Sequence, residues 1–334
     1  MPSLLEALEQ KYQDGGNATD TEGSVSIFVP RKPPRVIVPS LLVLNDCDIT
    51  SAGDKQALVD KCAAVEELDL AKNKLEHWPE VLEILKHMPR LKFVNLSFNC
   101  LALPLNGQEL DEQIRWQNLR NLVLNSTRVP WKNIQRILNH LPSLEELHLS
   151  LNDYNNVELY DETLHCDCDG EKPETETNEN NVEKSSTVID SEFNCNCGSP
   201  VEPKRKHKHL KVKKVHFTGN PVSKWHEICK IGYAFPNLES LVVAECPIKS
   251  LEVDYDVENC NKEKPQYERS ESGYESDTKT PHDSFNKLKF LNLNATHLST
   301  WDDVERLSKF PALHCLRVQV NTKFWYPDFT VSYN

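Results

Sequence analysis

The sequence predicts an α/β leucine-rich-repeat solenoid, a horseshoe of about nine coils with two disordered acidic insertions. Three observations predict it. The stretch Leu91-Lys-Phe-Val94-Asn-Leu96-Ser-Phe-Asn99-Cys-Leu101 matches the template L-x-x-L-x-L-x-x-N/C-x-L. The template recurs with its turn position held by Cys47, Asn73, Asn99, Thr127, Asn152, Asn220, Cys246, Thr296 and Asn321, mostly 25 to 28 residues apart. Between the strands a second pattern recurs: Trp78, Val81, Ile84, Met88, Pro89; then Trp131, Ile134, Ile137, Leu141, Pro142; then Trp225, Ile228, Ile231, Phe235, Pro236; and, one residue shorter, Trp301, Val304, Leu307, Phe310, Pro311.

Each template position has a physical job. Alternating apolar residues such as Val94 and Leu96 point inward from a short strand. The turn Asn can satisfy backbone groups of neighbouring coils that would otherwise be buried unpaired. One coil cannot bury its own apolar face, so it needs copies stacked on both sides. In the second pattern, steps of three and four place the apolar residues on one helical stripe, and the Pro stops the helix. The four Trp residues are accordingly expected to be core anchors.

In chain order, residues 1–37 should form an N-terminal helix, a linker and a cap. Ser3 with Glu6 three positions on is a capping box for a short amphipathic helix. Residues 13–26 are polar, and 28–38 carry three Pro and read as an extended lead-in that covers the first coil. The repeat domain spans 38–320. Within it, about 155–209 and 252–284 lose periodicity and should be disordered, since they hold too little apolar material to join a core. A short tail, 321–334, follows.

The formal charge of −13 resides in the insertions: 153–202 carry 14 acidic residues against 2 basic, and 252–283 carry 10 against 4. A basic run, with seven Lys and Arg between 204 and 214, reads as a solvated flank offsetting the acidic loop before it; it lacks the interleaved aromatics of a nucleic-acid site. Cys166, Cys168, Cys195 and Cys197 form two C-x-C pairs, a poor match to structural zinc spacing, and no metal site is expected. Ser272, Ser276 and Thr280 are candidate phosphorylation sites, two in an acidic context and the third before Pro281.

No glycine-rich phosphate loop or nucleophile elbow is present, and no apolar run approaches the roughly 20 residues of a membrane span. No signal peptide is evident, so the thiols should be reduced and the chain cytoplasmic. No cofactor, small-molecule substrate, nucleic acid or membrane is expected as a ligand.

The residues between the inward positions should line the concave face. These are candidates for partner binding: Phe93, Asn95, Phe98, Val123, Asn125, His148, Leu151, His216, Phe290, Asn292 and Arg317. Aromatics set among uncharged polar groups suit an interface core. Catalysis would need convergent nucleophile, base and acid, and repeat spacing places no Ser, Asp or Cys partner beside His148 or His216. The chain should therefore bind protein without catalysing a reaction. A general adaptor for a phosphatase or ubiquitin-ligase complex is the alternative.

The stretches Pro39-Ser-Leu-Leu-Val-Leu-Asn-Asp-Cys-Asp-Ile-Thr-Ser-Ala-Gly-Asp54, Glu67-Leu-Asp-Leu-Ala-Lys-Asn-Lys-Leu-Glu-His-Trp78, Leu122-Val-Leu-Asn-Ser126 and Leu144-Glu-Glu-Leu-His-Leu-Ser-Leu-Asn-Asp-Tyr154 resemble the tubulin folding cofactor E-like family. The likeness covers most of 38–154 and resumes over about 210–251 and 286–318. It implies a cytosolic, cytoskeleton-associated protein that binds tubulin, α-tubulin first, and regulates tubulin stability and folding and microtubule organisation. A glycine-rich cytoskeleton-binding domain is absent, in keeping with the E-like branch. The resemblance also implies a truncated form, since the family continues into a ubiquitin-like domain where this chain has its tail. The two acidic insertions are foreign to the family.

Overall fold

The computed structural model describes residues 1–13, 38–105, 110, 114–159, 208–252, 280 and 282–319. All of the described residues lie in one compact unit.

Nine short strands form one parallel sheet in chain order: β1 (Leu41–Val43), β2 (Glu67–Asp69), β3 (Phe93–Asn95), β4 (Asn121–Val123), β5 (Glu146–His148), β6 (Lys214–His216), β7 (Ser240–Val242), β8 (Phe290–Leu293) and β9 (Cys315–Val318). Sequential parallel order is what identical coils stacked side by side produce. The central residue of each strand from β1 to β8 (Leu42, Leu68, Val94, Leu122, Leu147, Val215, Leu241 and Leu291) is buried. These residues align in register, each opposite its equivalent.

Helices return the chain on the core side: α2 (Lys55–Cys62), α3 (Trp78–Lys86), α4 (Trp131–Leu138), α5 (Trp225–Ala234) and α6 (Trp301–Leu307). Four of them begin at a repeated Trp. Helix α2 lacks that signature and begins instead at Asp54, whose carboxylate accepts the N–H of Ala57.

The N-terminal helix α1 (Leu4–Gln13) covers the first coil. Leu4, Leu5, Ala7 and Leu8 are buried, and the N–H of Leu4 bonds the Ser51 carbonyl. The Tyr12 hydroxyl donates to the Val43 carbonyl and accepts the Val43 N–H, so it closes the exposed edge of β1. Ser3 and Glu6 make reciprocal bonds, the geometry of a capping box. Residues 14–37 lie outside the described residues, as does the tail from 320, Asn321 included.

The insertions are narrower than their sequence suggests. Val157, inside the first expected insertion, is buried at the end of the fifth coil, just after Tyr154, which stacks on Trp131 at 4.1 Å between ring centroids. Thr280 and His282–Ser284 lead into the eighth coil, and Phe285 is buried there. Glu227 accepts the Val157 N–H and Trp131 donates to the Asn156 carbonyl, so the stretch around Val157 joins the fold with little apolar content of its own.

The four Trp residues are not equivalent. Trp78, Trp131 and Trp225 are buried, whereas Trp301 is 67% exposed. In the earlier coils the next coil lies over the indole: Trp78 Nε1–H donates to the Leu101 carbonyl, and Trp131 Nε1–H to the Asn156 carbonyl. The stretch of the ninth coil that would lie over Trp301 falls after β9, outside the described residues, and Trp301 is no core anchor among those described. Trp116, which belongs to neither repeated pattern, is buried and donates to the Leu85 carbonyl.

Two sets of polar side chains tie each coil to the one before. The turn asparagines form the first set. Asn73 Oδ1 accepts the N–H groups of Cys47 and Ile49, and its Nδ2 donates to the carbonyls of Leu44 and Leu70. Asn99 accepts from Leu75 and donates to Leu70 and Leu96. Asn152 and Asn220 repeat this arrangement. Thr127, Cys246 and Thr296 are fully buried; the hydroxyls of Thr127 and Thr296 bond carbonyls three residues back, and the Cys246 thiol faces the Phe217 carbonyl. Cys47, in the first coil, is half-buried.

The second set lies two residues after each repeated Trp. Glu80 accepts the N–H of Ala52, Asn133 that of Leu105, Glu227 that of Val157 and Asp303 that of Leu251. Each acceptor satisfies a loop amide of the preceding coil that has no sheet partner.

Candidate functional site

The face of the sheet away from the core carries two rows of side chains. One row, in register, is Val43, Asp69, Asn95, Val123, His148, His216, Val242, Asn292 and Arg317; the other includes Phe93, Asn121, Glu146, Lys214, Ser240 and Phe290. Parallel pairing of identical coils places each residue beside its equivalent.

Several of the expected binding residues spend their polar groups inside this face. Asn95 accepts from the Ser97 N–H and hydroxyl and donates to Asp69. Asn125 accepts the Ser150 N–H, and Asn292 that of Asn294. Val123 is buried, at 8% exposure, and offers little surface to a partner. Phe93 and Phe290 are half-buried, and the Arg317 guanidinium lies 5.5 Å from the Phe290 ring centre. Thr280 donates to the Asp283 carboxylate, and its N–H bonds the same group, so its hydroxyl is engaged. Ser272 and Ser276 lie outside the described residues.

Phe98 and Leu151 are not strand residues. They occupy the turns that follow β3 and β5, with φ of 61° and 59°, and are 52% and 48% exposed. The same turn position is left-handed throughout the sheet, at Asp46, Lys72, Ser126, Gly219, Glu245 and Ala295. A bulky side chain is strained there, by about 1–2 kcal/mol per residue. Phe98 and Leu151 flank a shallow depression of about 420 Å³ with Asn99, Cys100, Ser126, Thr127, Arg128 and Asp153. Lys72 sits 5.9 Å from the Phe98 ring centre. Gly219 allows Leu151 to lie as it does: a Cβ on Gly219 would come within 2.4 Å of the Leu151 side chain. The structure therefore separates Phe98 and Leu151, on the rim, from Phe93 and Asn95, on the sheet face.

At the centre of the face the two histidines do have a partner. The rings of His148 and His216 stack at 4.0 Å and 8°. Glu146 lies beside both, its Oε1 at 2.9 Å from His148 Nε2 and 3.2 Å from His216 Nε2. Lys214 reaches Glu146 Oε2 at 3.3 Å, and Asn121 donates to the same oxygen. Burial pushes the Glu146 carboxyl up, but bonds and charge from His148 and Lys214 outweigh it and hold the group below its ordinary value. Burial, aided by the neighbouring His148, lowers His216 despite the opposing carboxylate. The repeat reading passed over Glu146 because a charged residue at a strand edge looks solvated. The signal that would have found it is its place two residues before His148, on the same face.

The stacked coils, parallel sheet and asparagine ladder define a leucine-rich-repeat protein. No family model matches the chain. It is similar to the tubulin-specific chaperone cofactor E-like proteins: the human one is 30% identical over 328 residues, covering 95% of this chain and 59% of that protein, and that of Caenorhabditis elegans is 27% identical over 95% and 57%. Human tubulin-specific chaperone E is 25% identical over 92% of this chain and 46% of its own length. The chain thus spans less than two thirds of the curated relatives it matches. Among solved structures, it is similar to internalin C2 from Listeria monocytogenes, at 14% identity and a TM-score of 0.44 over 84% of this chain and 80% of that one. A leucine-rich-repeat protein from Leptospira interrogans matches at 19% identity and a TM-score of 0.39, over 83% and 59%. No helix among the described residues is long and apolar enough to cross a membrane.

Proposed function

We propose that this chain is a non-catalytic tubulin-binding protein of the cytoplasm that regulates tubulin stability and folding and, through it, microtubule organisation. Its similarity to relatives named as tubulin-specific chaperones, along 95% of its length, carries this reading. We further propose that α-tubulin is the subunit held, and that the contact centres on Phe98 and Leu151. Two large apolar side chains are kept exposed beside one depression, at a turn position where the other coils carry Asp, Lys, Ser, Gly, Glu or Ala, and such a patch suits a partner contact. Arg128 is paired with Asp153 at 3.5 Å, and Lys72 beside Phe98 leaves this part of the rim weakly positive, which suits an acidic partner.

The test is titration of purified tubulin with the wild-type chain and the double variant Phe98→Asn/Leu151→Asn. Asn tolerates the left-handed turn, so the fold should persist by circular dichroism. Loss of two apolar anchors should weaken binding by roughly 2 kcal/mol, about thirtyfold in Kd. A folded double variant that binds tubulin normally removes the rim from the site. A wild-type chain that binds no tubulin removes the function.

A further inference from the structure

We infer that Glu146, His148 and His216 form a binding site for a divalent transition-metal ion of the zinc class. The three side chains project from adjacent strands β5 and β6, and their nearest donor atoms all lie within 4.8 Å of one another. Two imidazoles and a carboxylate are the protein ligands of one common zinc arrangement, in which a fourth position stays open. Nitrogen and oxygen donors sit about 2.0–2.2 Å from zinc, which sets neighbouring tetrahedral donors roughly 3.3–3.5 Å apart. The carboxylate-to-imidazole distances of 2.9 and 3.2 Å need to open by only a few tenths of an ångström. The imidazole rings, parallel at 4.0 Å, must splay so that both Nε2 lone pairs converge.

The backbone supplies the preorganisation. His148 and His216 are direct register partners, and both stand on strands whose central residues, Leu147 and Val215, are locked in the core. The imidazoles and carboxylate are half-buried, which limits the water competing for the ion. Asn121 donates to Glu146 Oε2 at 3.3 Å and leaves Oε1 toward the histidines. A partner of this kind orients a ligating carboxylate.

One group opposes the ion. Lys214 holds Glu146 Oε2 at 3.3 Å, and its ammonium would repel a dication. Its side chain is 56% exposed, so it can turn into solvent. Binding is then a competition between Lys214 and the metal for one carboxylate. The open coordination position would face away from the core, available to water or to a donor of a bound partner. This inference does not depend on tubulin being that partner.

The experiment is titration of zinc alone into the full-length chain in which Cys166, Cys168, Cys195 and Cys197 are all replaced by Ser, so that the two C-x-C pairs cannot hold the ion. One zinc per chain should bind. His148→Ala, His216→Ala and Glu146→Gln should each weaken it by at least about tenfold, as loss of a metal ligand does. Lys214→Met should tighten it several-fold. Cobalt in place of zinc should give the visible absorption of a low-coordinate nitrogen and oxygen site, lost in the same variants. Glu146→Gln is isosteric and keeps the fold testable if a histidine variant does not fold. Zinc binding that vanishes in the cysteine-free chain, or that Glu146→Gln and Lys214→Met leave unchanged, overturns the inference.

Discussion

Glu227 accepts the backbone N–H of Val157 at 2.7 Å, joining residues 70 positions apart in the chain. The bond crosses the first insertion and fixes helix α5 of the sixth coil to the end of the fifth. His226 and Lys230 bond the same carboxylate. Burial pushes that carboxyl up, but the His226, Lys230 and Val157 bonds together outweigh it and bring its pKa down to about 2 from an ordinary 4.5.

Because the folded value is depressed, Glu227 contributes stability that is fully present above about pH 4.5 and is lost as pH falls toward 2. Glu227→Gln should cost about 2 kcal/mol at pH 7. The gap from wild type should then narrow between pH 4.5 and 2. Urea unfolding at several pH values measures it, and a gap constant across that window would show that the carboxylate charge plays no part.

Asn99, in the third coil, accepts one bond and donates two, all to buried backbone. Asn99→Ala should destabilise by roughly 1–3 kcal/mol, since the buried Leu75 N–H loses its acceptor and the Leu70 and Leu96 carbonyls each lose one donor. Asn99→Asp should be worse, because it adds an unpaired buried charge beside those carbonyls. Denaturant midpoints for the pair check this; equal values for Asp and wild type would contradict the donor role.

Stability and binding should part company at Phe98. Phe98→Asn relieves a left-handed bulky residue and should leave the midpoint unchanged or raise stability by up to about 1 kcal/mol. The same variant should lose tubulin affinity. Thermal unfolding and tubulin titration on one preparation report both; a clear loss of stability would mean that the ring packs more than its exposure indicates.

Two tryptophans make a matched comparison. Trp131 is buried, stacks on Tyr154 and donates to Asn156, so Trp131→Ala should cost about 3–5 kcal/mol. Trp301→Ala, at an exposed position, should stay within about 0.5 kcal/mol. Thermal unfolding of the two variants separates them, and a large effect at Trp301 would show that residues after 319 cover it.

The strands were legible in the sequence because their inward residues repeat at fixed spacing and nothing else satisfies that spacing. The helices were legible where a Trp marks the start, and not at α2, where a single Asp cap does. The fourth repeated tryptophan shows the limit: Trp301 repeats the pattern, yet burial needs a neighbour that a local motif does not contain. Apolar periodicity is also blind to Glu80, Asn133, Glu227 and Asp303, because a polar residue on a helix ordinarily faces water. Here each is drawn inward by an unpaired amide of the previous coil. The same blindness hid Glu146, whose meaning comes from β6, 68 residues beyond it.

The direction of these ties has a consequence for how the protein is made. The turn asparagines and the acceptors two residues after each repeated Trp belong to the later coil, and the amides they satisfy to the earlier one. On a ribosome, then, a coil emerges with its amides open and is completed by its successor. Stalled nascent chains of increasing length should gain protease resistance one coil in arrears of synthesis. Two long pauses should coincide with translation of the insertions, when the fifth and seventh coils wait for Glu227 and Asp303.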